Sequence, residues 1–198
     1  MSVRIITSIG NTVRPHLEAL ATLRMRVFRD YPYLYGGDMA YEHKYLDAYA
    51  RSKRSVFVQA WDDDELVGCS TGMPLADEIP AIQQPFVERG MLLSDVFYFG
   101  ESVLLPAYRG QGIGHRFFDL REAHARELRG YHWTAFCAVE RAPNDPRRPQ
   151  DYRPNDAFWQ KRGYQRQENM FCTLDWTELD ALAPTDHRLR FWLRPIDA

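Results

Sequence analysis

Three glycines fall within five positions, at Gly110, Gly112 and Gly114. The run Arg109-Gly110-Gln111-Gly112-Ile113-Gly114 lies between an apolar, strand-like segment (Val96 to Leu105) and an amphipathic, helix-like one (Ile113 to Leu128). Glycine removes the side chains that would keep a ligand away from the backbone. A helix opening at such a turn points unsatisfied N–H groups, and the positive end of its dipole, outward. The chain is thereby constrained to a strand, a glycine turn and a helix start that cradle an anion such as phosphate. Two known patterns fail. A Walker-type loop closes on Gly-Lys-Ser/Thr, whereas Gly114 is followed by His115 and Arg116. The dinucleotide fingerprint Gly-x-Gly-x-x-Gly would need its third glycine at His115 or Phe117. Arg-x-x-Gly-x-Gly, read as Arg109, Gly112 and Gly114, fits.

The rest of the chain reads as alternating elements. Arg4-Ile5-Ile6 is a short first strand, and a helix follows from about Pro15 with Leu17, Leu20, Ala21, Leu23 and Val27 on its buried side. A second helix runs from Asp38, a good N-cap, to about Arg51. Residues 55–60 and 65–69 form a hairpin through Asp62-Asp63-Asp64. A short helix over 79–89 follows among prolines, and Val96 to Leu105 is a strong strand in which Gly100 marks a bulge or close approach. After the 113–128 helix come a strand (133–139), a short helix (155–162) ended by Gly163, and two closing strands (164–175 and 188–194). This order predicts a single domain over 1–198 of α/β class, a mixed sheet flanked by helices.

Composition narrows the classes. A formal net charge of -2 speaks against a general nucleic-acid or anionic-membrane binder. No apolar run approaches the roughly 18 residues of a membrane span, and the N-terminus lacks a signal-peptide core, so a cytoplasmic location is expected. Cys69, Cys137 and Cys172 are too few and too widely spaced for a disulfide framework or a zinc motif. No metal is expected.

The run Leu104-Leu105-Pro106-Ala107-Tyr108 followed by Arg109–Gly114 resembles the acyl-CoA pyrophosphate loop of the GNAT superfamily of N-acyltransferases. The resemblance extends over nearly the whole chain and is most specific from Val96 to Tyr164. It implies a GNAT-like fold, acetyl-CoA (coenzyme A) as cofactor, and transfer of an acetyl or short acyl group to a small-molecule or protein amine. It also implies that the main chain of Val103, Leu104 and Leu105 lies along the pantetheine arm. The N–H groups of Gln111, Gly112, Ile113, Gly114 and His115 would face the pyrophosphate, with Arg109, Gly110 and Arg116 beside them.

Attack by an amine on a thioester needs the ammonium neutralised, the oxyanion held and the thiolate released. Glu101, on the strand lining the reacting centre, is the first candidate base, and Glu140 at the end of the next strand is the second. A water chain is the third. The segment Phe158-Trp159-Gln160-Lys161-Arg162-Gly163-Tyr164 is similar to a family segment whose tyrosine donates a proton to the thiolate. Here Trp159 stands in its place, and an indole N–H is too weak an acid for that role. Trp159 is left to pack on pantetheine or hydrogen-bond the sulfur. Tyr152 occupies a position where the family often holds pantetheine with asparagine, and Asn155 is the nearby substitute. Tyr152 and Tyr98 are the alternative acids.

Six of the eleven tyrosines fall between 31 and 49. Tyr41, Tyr45 and Tyr49 share a helix side. With Tyr31, Tyr33, Asp38 and Glu42 they suggest an aromatic, acidic acceptor wall for a cationic amine; core packing or a homodimer surface is the alternative. The proline- and arginine-rich stretch Arg141 to Pro154 is a site-shaping loop or a solvated one, with Arg147 and Arg148 placed for a 3′-phosphate or an acidic acceptor group. A catalytically silent acyl-CoA sensor is the runner-up, kept open by Trp159.

Overall fold

The computed structural model describes residues 3–196. Its strands are β1 (Arg4–Ile9), β2 (Val56–Asp62), β3 (Glu65–Pro74), β4 (Val96–Tyr98), β5 (Ser102–Leu104), β6 (Trp133–Val139), β7 (Gln165–Trp176) and β8 (Thr185–Pro195). The helices are α1 (Leu17–Phe28), α2 (Met39–Arg51), α3 (Pro80–Val87), α4 (Ile113–Leu128) and α5 (Asp156–Lys161). One sheet runs in the order β1-β2-β3-β4-β6-β8-β7, with β5 also paired to β3. The β4–β6 pair is parallel and every other strand pair is antiparallel.

Local chemistry sets the helix boundaries. The Asp38 side chain accepts from the Tyr41 N–H at 3.1 Å and caps α2. Pro15 falls inside a 3₁₀ turn, Gly10–His16, so α1 begins at Leu17 rather than at Pro15. Helix α4 starts after Gly112, whose φ of 81° places it in the left-handed region.

The strand expected over Val96 to Leu105 is interrupted. Gly100 donates to the Thr71 carbonyl at 3.2 Å, and the Thr71 N–H donates to the Glu101 carbonyl at 3.0 Å. Two residues therefore face one, a β-bulge that divides β4 from β5. Glycine is required there. A Cβ on residue 100 would stand 2.7 Å from Thr71 Oγ1 and 2.8 Å from the Tyr45 hydroxyl, with the Tyr49 hydroxyl closer still.

After the bulge, neighbouring side chains point to opposite faces. Glu101 meets Arg24 of α1 and Tyr45 of α2, whereas Ser102 meets Arg121 of α4. Helices α1 and α2 thus cover one face of this part of the sheet and α4 the other. On α4's side an aromatic cluster of Phe118, Phe136, Tyr164 and Trp192 joins α4, β6, β8 and α5 through Phe158 and Trp159.

Candidate active site

The bulge opens the sheet. Strands β4 and β6 stay hydrogen-bonded through the Phe99 N–H to the Ala135 carbonyl, 2.8 Å. Beyond it, β5 pairs with β3 while β6 continues along β8. The Glu101 carbonyl and Leu105 N–H both bond to β3. By the alternation of an antiparallel ladder, Val103 also turns its main chain to β3, and Ser102 and Leu104 turn theirs into the gap. Of the main chains of Val103, Leu104 and Leu105, only that of Leu104 therefore faces the gap, joined by that of Ser102. The side chains of Val103 and Leu105 are core.

A cleft of about 1090 Å³ passes through this gap. On α4's side it reaches Gly110, Gly112, Gly114 and His115; on the other it reaches Phe28, Tyr31 and Tyr33. Gly110 and Gly112 have φ of 75° and 81°, and a Cβ on either would meet nothing within 4 Å, so open space lies in front of the turn. The first main-chain bond of α4 is Arg116 N–H to the Gly112 carbonyl, 3.2 Å. The preceding N–H groups of Ile113, Gly114 and His115 lie before the helical ladder begins. Arg109 lines the cleft while its Nε donates to the Leu104 carbonyl at 3.2 Å. Gln111 and Ile113 contribute no side chain to the lining. Gln111 donates to the Ala107 carbonyl at 3.1 Å, and Ile113 is buried in the core. His115 stands edge-on to Phe158, with Nδ1 3.3 Å from Arg162 Nη1.

Glu101 lies where the strands part. It lines the cleft, yet its side chain is only 5% exposed. Its Oε2 is 2.7 Å from Arg24 Nη1 and accepts from the Tyr45 hydroxyl at 2.6 Å. Arg24 also donates through Nε to buried Glu42. Burial pushes the Tyr45 hydroxyl well up, with the Glu101 charge adding to it, so Tyr45 stays protonated.

Glu140 lines the cleft too, but arginines surround it. Arg166 Nη2 is 2.9 Å away, Arg188 Nε 3.1 Å, and Arg190 binds it through two nitrogens. Burial raises its carboxyl, but the hydrogen bonds from Arg190 and Arg166 outweigh that and hold it below the usual range. Glu140 is a poor proton acceptor, contrary to its place as second candidate base.

The remaining expected residues divide. Tyr152, Asn155 and Trp159 line the cleft. Trp159 is edge-on to Phe136 and Trp192, and Tyr152 is edge-on to Tyr31 with ring centroids 4.7 Å apart. Burial pushes the Tyr152 hydroxyl up, so it carries a proton at neutral pH. Tyr31 and Tyr33 lie on the wall, but Tyr41 and Tyr45 do not. Tyr41 is half exposed outside it, and Tyr45 is engaged by Glu101. The acidic partners expected beside the tyrosines are also engaged: Asp38 caps α2 and Glu42 binds Arg24. Arg147 is held by Asp145 and Glu178 and is not in the cleft lining, whereas Arg148 is. Tyr98 bonds the buried Cys137 thiol at 3.1 Å and is not in the lining.

Two arginines escaped the sequence reading. Arg24 is 5% exposed and Arg121 1% exposed. Arg121 bonds the carbonyls of Thr71 and Glu101, each at 3.1 Å, and the Ser102 hydroxyl at 2.9 Å, and so fixes the bulge from α4. Burial pulls its guanidinium down to about 10, still protonated at neutral pH. The signal for Arg24 was available. It falls on the same α1 stripe as Leu17, Leu20, Ala21 and Phe28, and a charge on an apolar stripe needs a buried partner.

The acetyltransferase (GNAT) family model matches residues 18–164, from α1 through the glycine turn to the end of α5. The chain belongs to the GNAT acetyltransferase family. Solved structures show the same fold at low identity. An N-acetyltransferase from Staphylococcus aureus Mu50 is 13% identical, with TM-score 0.60, covering 98% of this chain and 99% of that one. A ribosomal-protein-alanine N-acetyltransferase from Brucella melitensis is 14% identical, with TM-score 0.59, covering 96% and 99%. The yncA protein of Salmonella typhimurium, whose structure contains acetyl-CoA as its cofactor, is 9% identical with TM-score 0.58, covering 98% and 94%. No curated protein matches the chain in sequence. GNAT acetyltransferases transfer an acetyl group to an amine, and the expectation of a mixed sheet flanked by helices holds for this chain. Among the described residues no helix is long and apolar enough to cross a membrane.

Proposed function

We propose that this GNAT chain transfers an acetyl or short acyl group from acyl-CoA to an amine by direct attack of nitrogen on the thioester. One observation carries the reading. A single cleft joins an anion cradle at Gly110–His115 to a buried carboxylate, Glu101, through a gap in the sheet. The cradle suits the cofactor: at Gly110 and Gly112 nothing occupies the space a side chain would take, and the α4 N–H groups stand beside them.

Acetyl-CoA supplies the activated acyl group as a thioester. The N–H groups of Ile113, Gly114 and His115, with that of Gly112 in the turn before them, would hold its pyrophosphate. The gap-facing N–H groups of Ser102 and Leu104 bind carbonyl oxygens along the pantetheine arm, as an added strand would. Glu101 accepts the proton that the ammonium must lose before nitrogen attacks. Tyr45 and Arg24 fix the carboxylate through Oε2. Tyr152 is the hydroxyl available to the departing sulfur. Trp159 packs the cleft wall, and a CoA thiolate leaves without full protonation.

Calorimetric titration with CoA, then assay of free thiol across a panel of amines, tests this. Binding together with amine-dependent thiol release is expected. Binding with no release for any amine would favour the silent sensor, and no binding would remove both readings.

A further inference from the structure

The stretch Arg141 to Pro154 carries four arginines, and three of them, Arg141, Arg148 and Arg153, line the cleft. Two of the four are engaged. Glu178 pairs with both Arg141 and Arg147, and Arg141 also donates to the Pro32 and Tyr33 carbonyls. Among the described residues Arg148 and Arg153 pair with no carboxylate. Arg148 is nevertheless placed. Its guanidinium lies over the Tyr152 ring, 5.4 Å from the centroid, and Tyr152 meets Tyr31 edge-on at 4.7 Å. A guanidinium stacked by its face keeps the N–H fork at its edge available for a bidentate carboxylate.

Position says which anion that would be. With Phe28 and Tyr33, Tyr31 lines the end of the cleft across the sheet from the glycine turn. Arg148 stands with that end, away from the cradle, so its partner is not a phosphate of the cofactor. The same end is bridged by Tyr31 on Tyr152 and by Arg141 on the Pro32 and Tyr33 carbonyls, which suits a small molecule. The other guanidiniums facing it, Arg166 and Arg190, are already bound to Glu140, which they hold ionised. Of the lining aspartates, Asp30 and Asp151 are exposed to solvent, and Asp156 sits in the first turn of α5, where a helix start favours it.

Resting on the acyl-transfer reading of this cleft, we infer that Arg148 is a specificity residue that binds the carboxylate of a small amino carboxylate acceptor. Tyr152, whose hydroxyl is proposed to serve the sulfur, carries Arg148 on its ring, so the guanidinium stands about a ring's length from the reacting centre. A carboxylate a few bonds from the amine spans that length. The nitrogen then reaches the thioester while the carboxylate stays at the rim, where Arg148 is exposed.

The test compares straight-chain amino carboxylates with amino alcohols of the same length, which keep the amine and replace only the charged group. In wild type, at the best chain length, kcat/KM for the carboxylate should exceed that for the alcohol at least about tenfold. Arg148→Gln should lower that ratio about tenfold, chiefly through KM for the carboxylate, and Arg148→Lys, which keeps the charge without the fork, should restore part of it. Wild type with no preference for the carboxylate overturns the inference, and that measurement does not depend on any variant folding. A ratio that Arg148→Gln leaves unchanged overturns it as well, whether or not the variant weakens acetyl-CoA binding. Absence of thiol release from wild type with every acceptor would instead overturn the acyl-transfer reading, and this inference with it.

Discussion

A β-carbon on Gly100 would stand 2.8 Å from the Tyr45 hydroxyl, so the residue before Glu101 has no room for a side chain. The same hydroxyl donates to Glu101, which ties the bulge, the gap and the carboxylate together. Gly100→Ala is expected to destabilise the fold by about 1–3 kcal/mol through overpacking. It should also lower turnover while leaving CoA affinity within a few-fold, because the cradle lies elsewhere. Thermal unfolding, CoA titration and steady-state kinetics on the one variant check all three.

At the cradle, Gly112→Asp puts a carboxylate where pyrophosphate is proposed to sit. CoA affinity should fall by on the order of tenfold or more. Gly112→Ala imposes the same left-handed backbone on a residue with a β-carbon but adds no charge. A clear excess loss in the aspartate variant separates charge from strain, and calorimetry on both measures it.

Tyr152→Phe should lower kcat by roughly tenfold, short of the roughly 10²–10⁴ typical of proton transfer by a positioned side chain, because a CoA thiolate is a tolerable leaving group. Trp159→Phe should change kcat less, since Trp159 stands among the rings of Phe136 and Trp192. Steady-state kinetics with saturating acetyl-CoA compares them.

Glu178 latches the wall of the cleft. It pairs with Arg141 and Arg147, and Arg141 in turn donates to the Pro32 and Tyr33 carbonyls. Burial raises the Glu178 carboxyl, but hydrogen bonds from Arg147 and Arg141 outweigh this and leave it lowered. Asp145, bonded by Arg147, is pulled down to about 2. A carboxyl lowered on folding contributes stability above its unfolded value and loses it as pH falls through the folded one. Glu178→Gln should therefore lower Tm at neutral pH by about 2–4 °C. The deficit should shrink below about pH 4, where unfolded carboxyls protonate. Thermal melts from pH 7 to pH 3 give both numbers.

Much of this was legible in the sequence where the signals are local. The glycine turn, the 113–128 helix and the Asp38 cap each depend on residues a few positions apart, and each stands where its pattern put it. The gap did not follow in the same way. Gly100 hints at a bulge within Val96 to Leu105, but only the pairing with Thr71 shows where one strand ends and the next begins. Glu101 was singled out by its strand, but its partners come from α1 and α2, distant in the chain. Spacing alone put Tyr41, Tyr45 and Tyr49 on one helix side without saying what that side would meet. It meets Glu101 and Glu78 rather than the cleft. Nothing local in the sequence told that the register of β7 and β8 brings three arginines to Glu140, the second candidate base.

The central claim is that Glu101, at the head of the gap, takes the acceptor's proton during transfer from acetyl-CoA. It is tested most directly by quantifying free thiol and N-acetylated product together, in wild type and Glu101→Gln, across pH. One thiol per acetylated amine is expected, with the variant slowed by about 10²-fold at neutral pH and less at high pH, where free amine is abundant. A variant that matches wild type across the whole pH range would contradict the account.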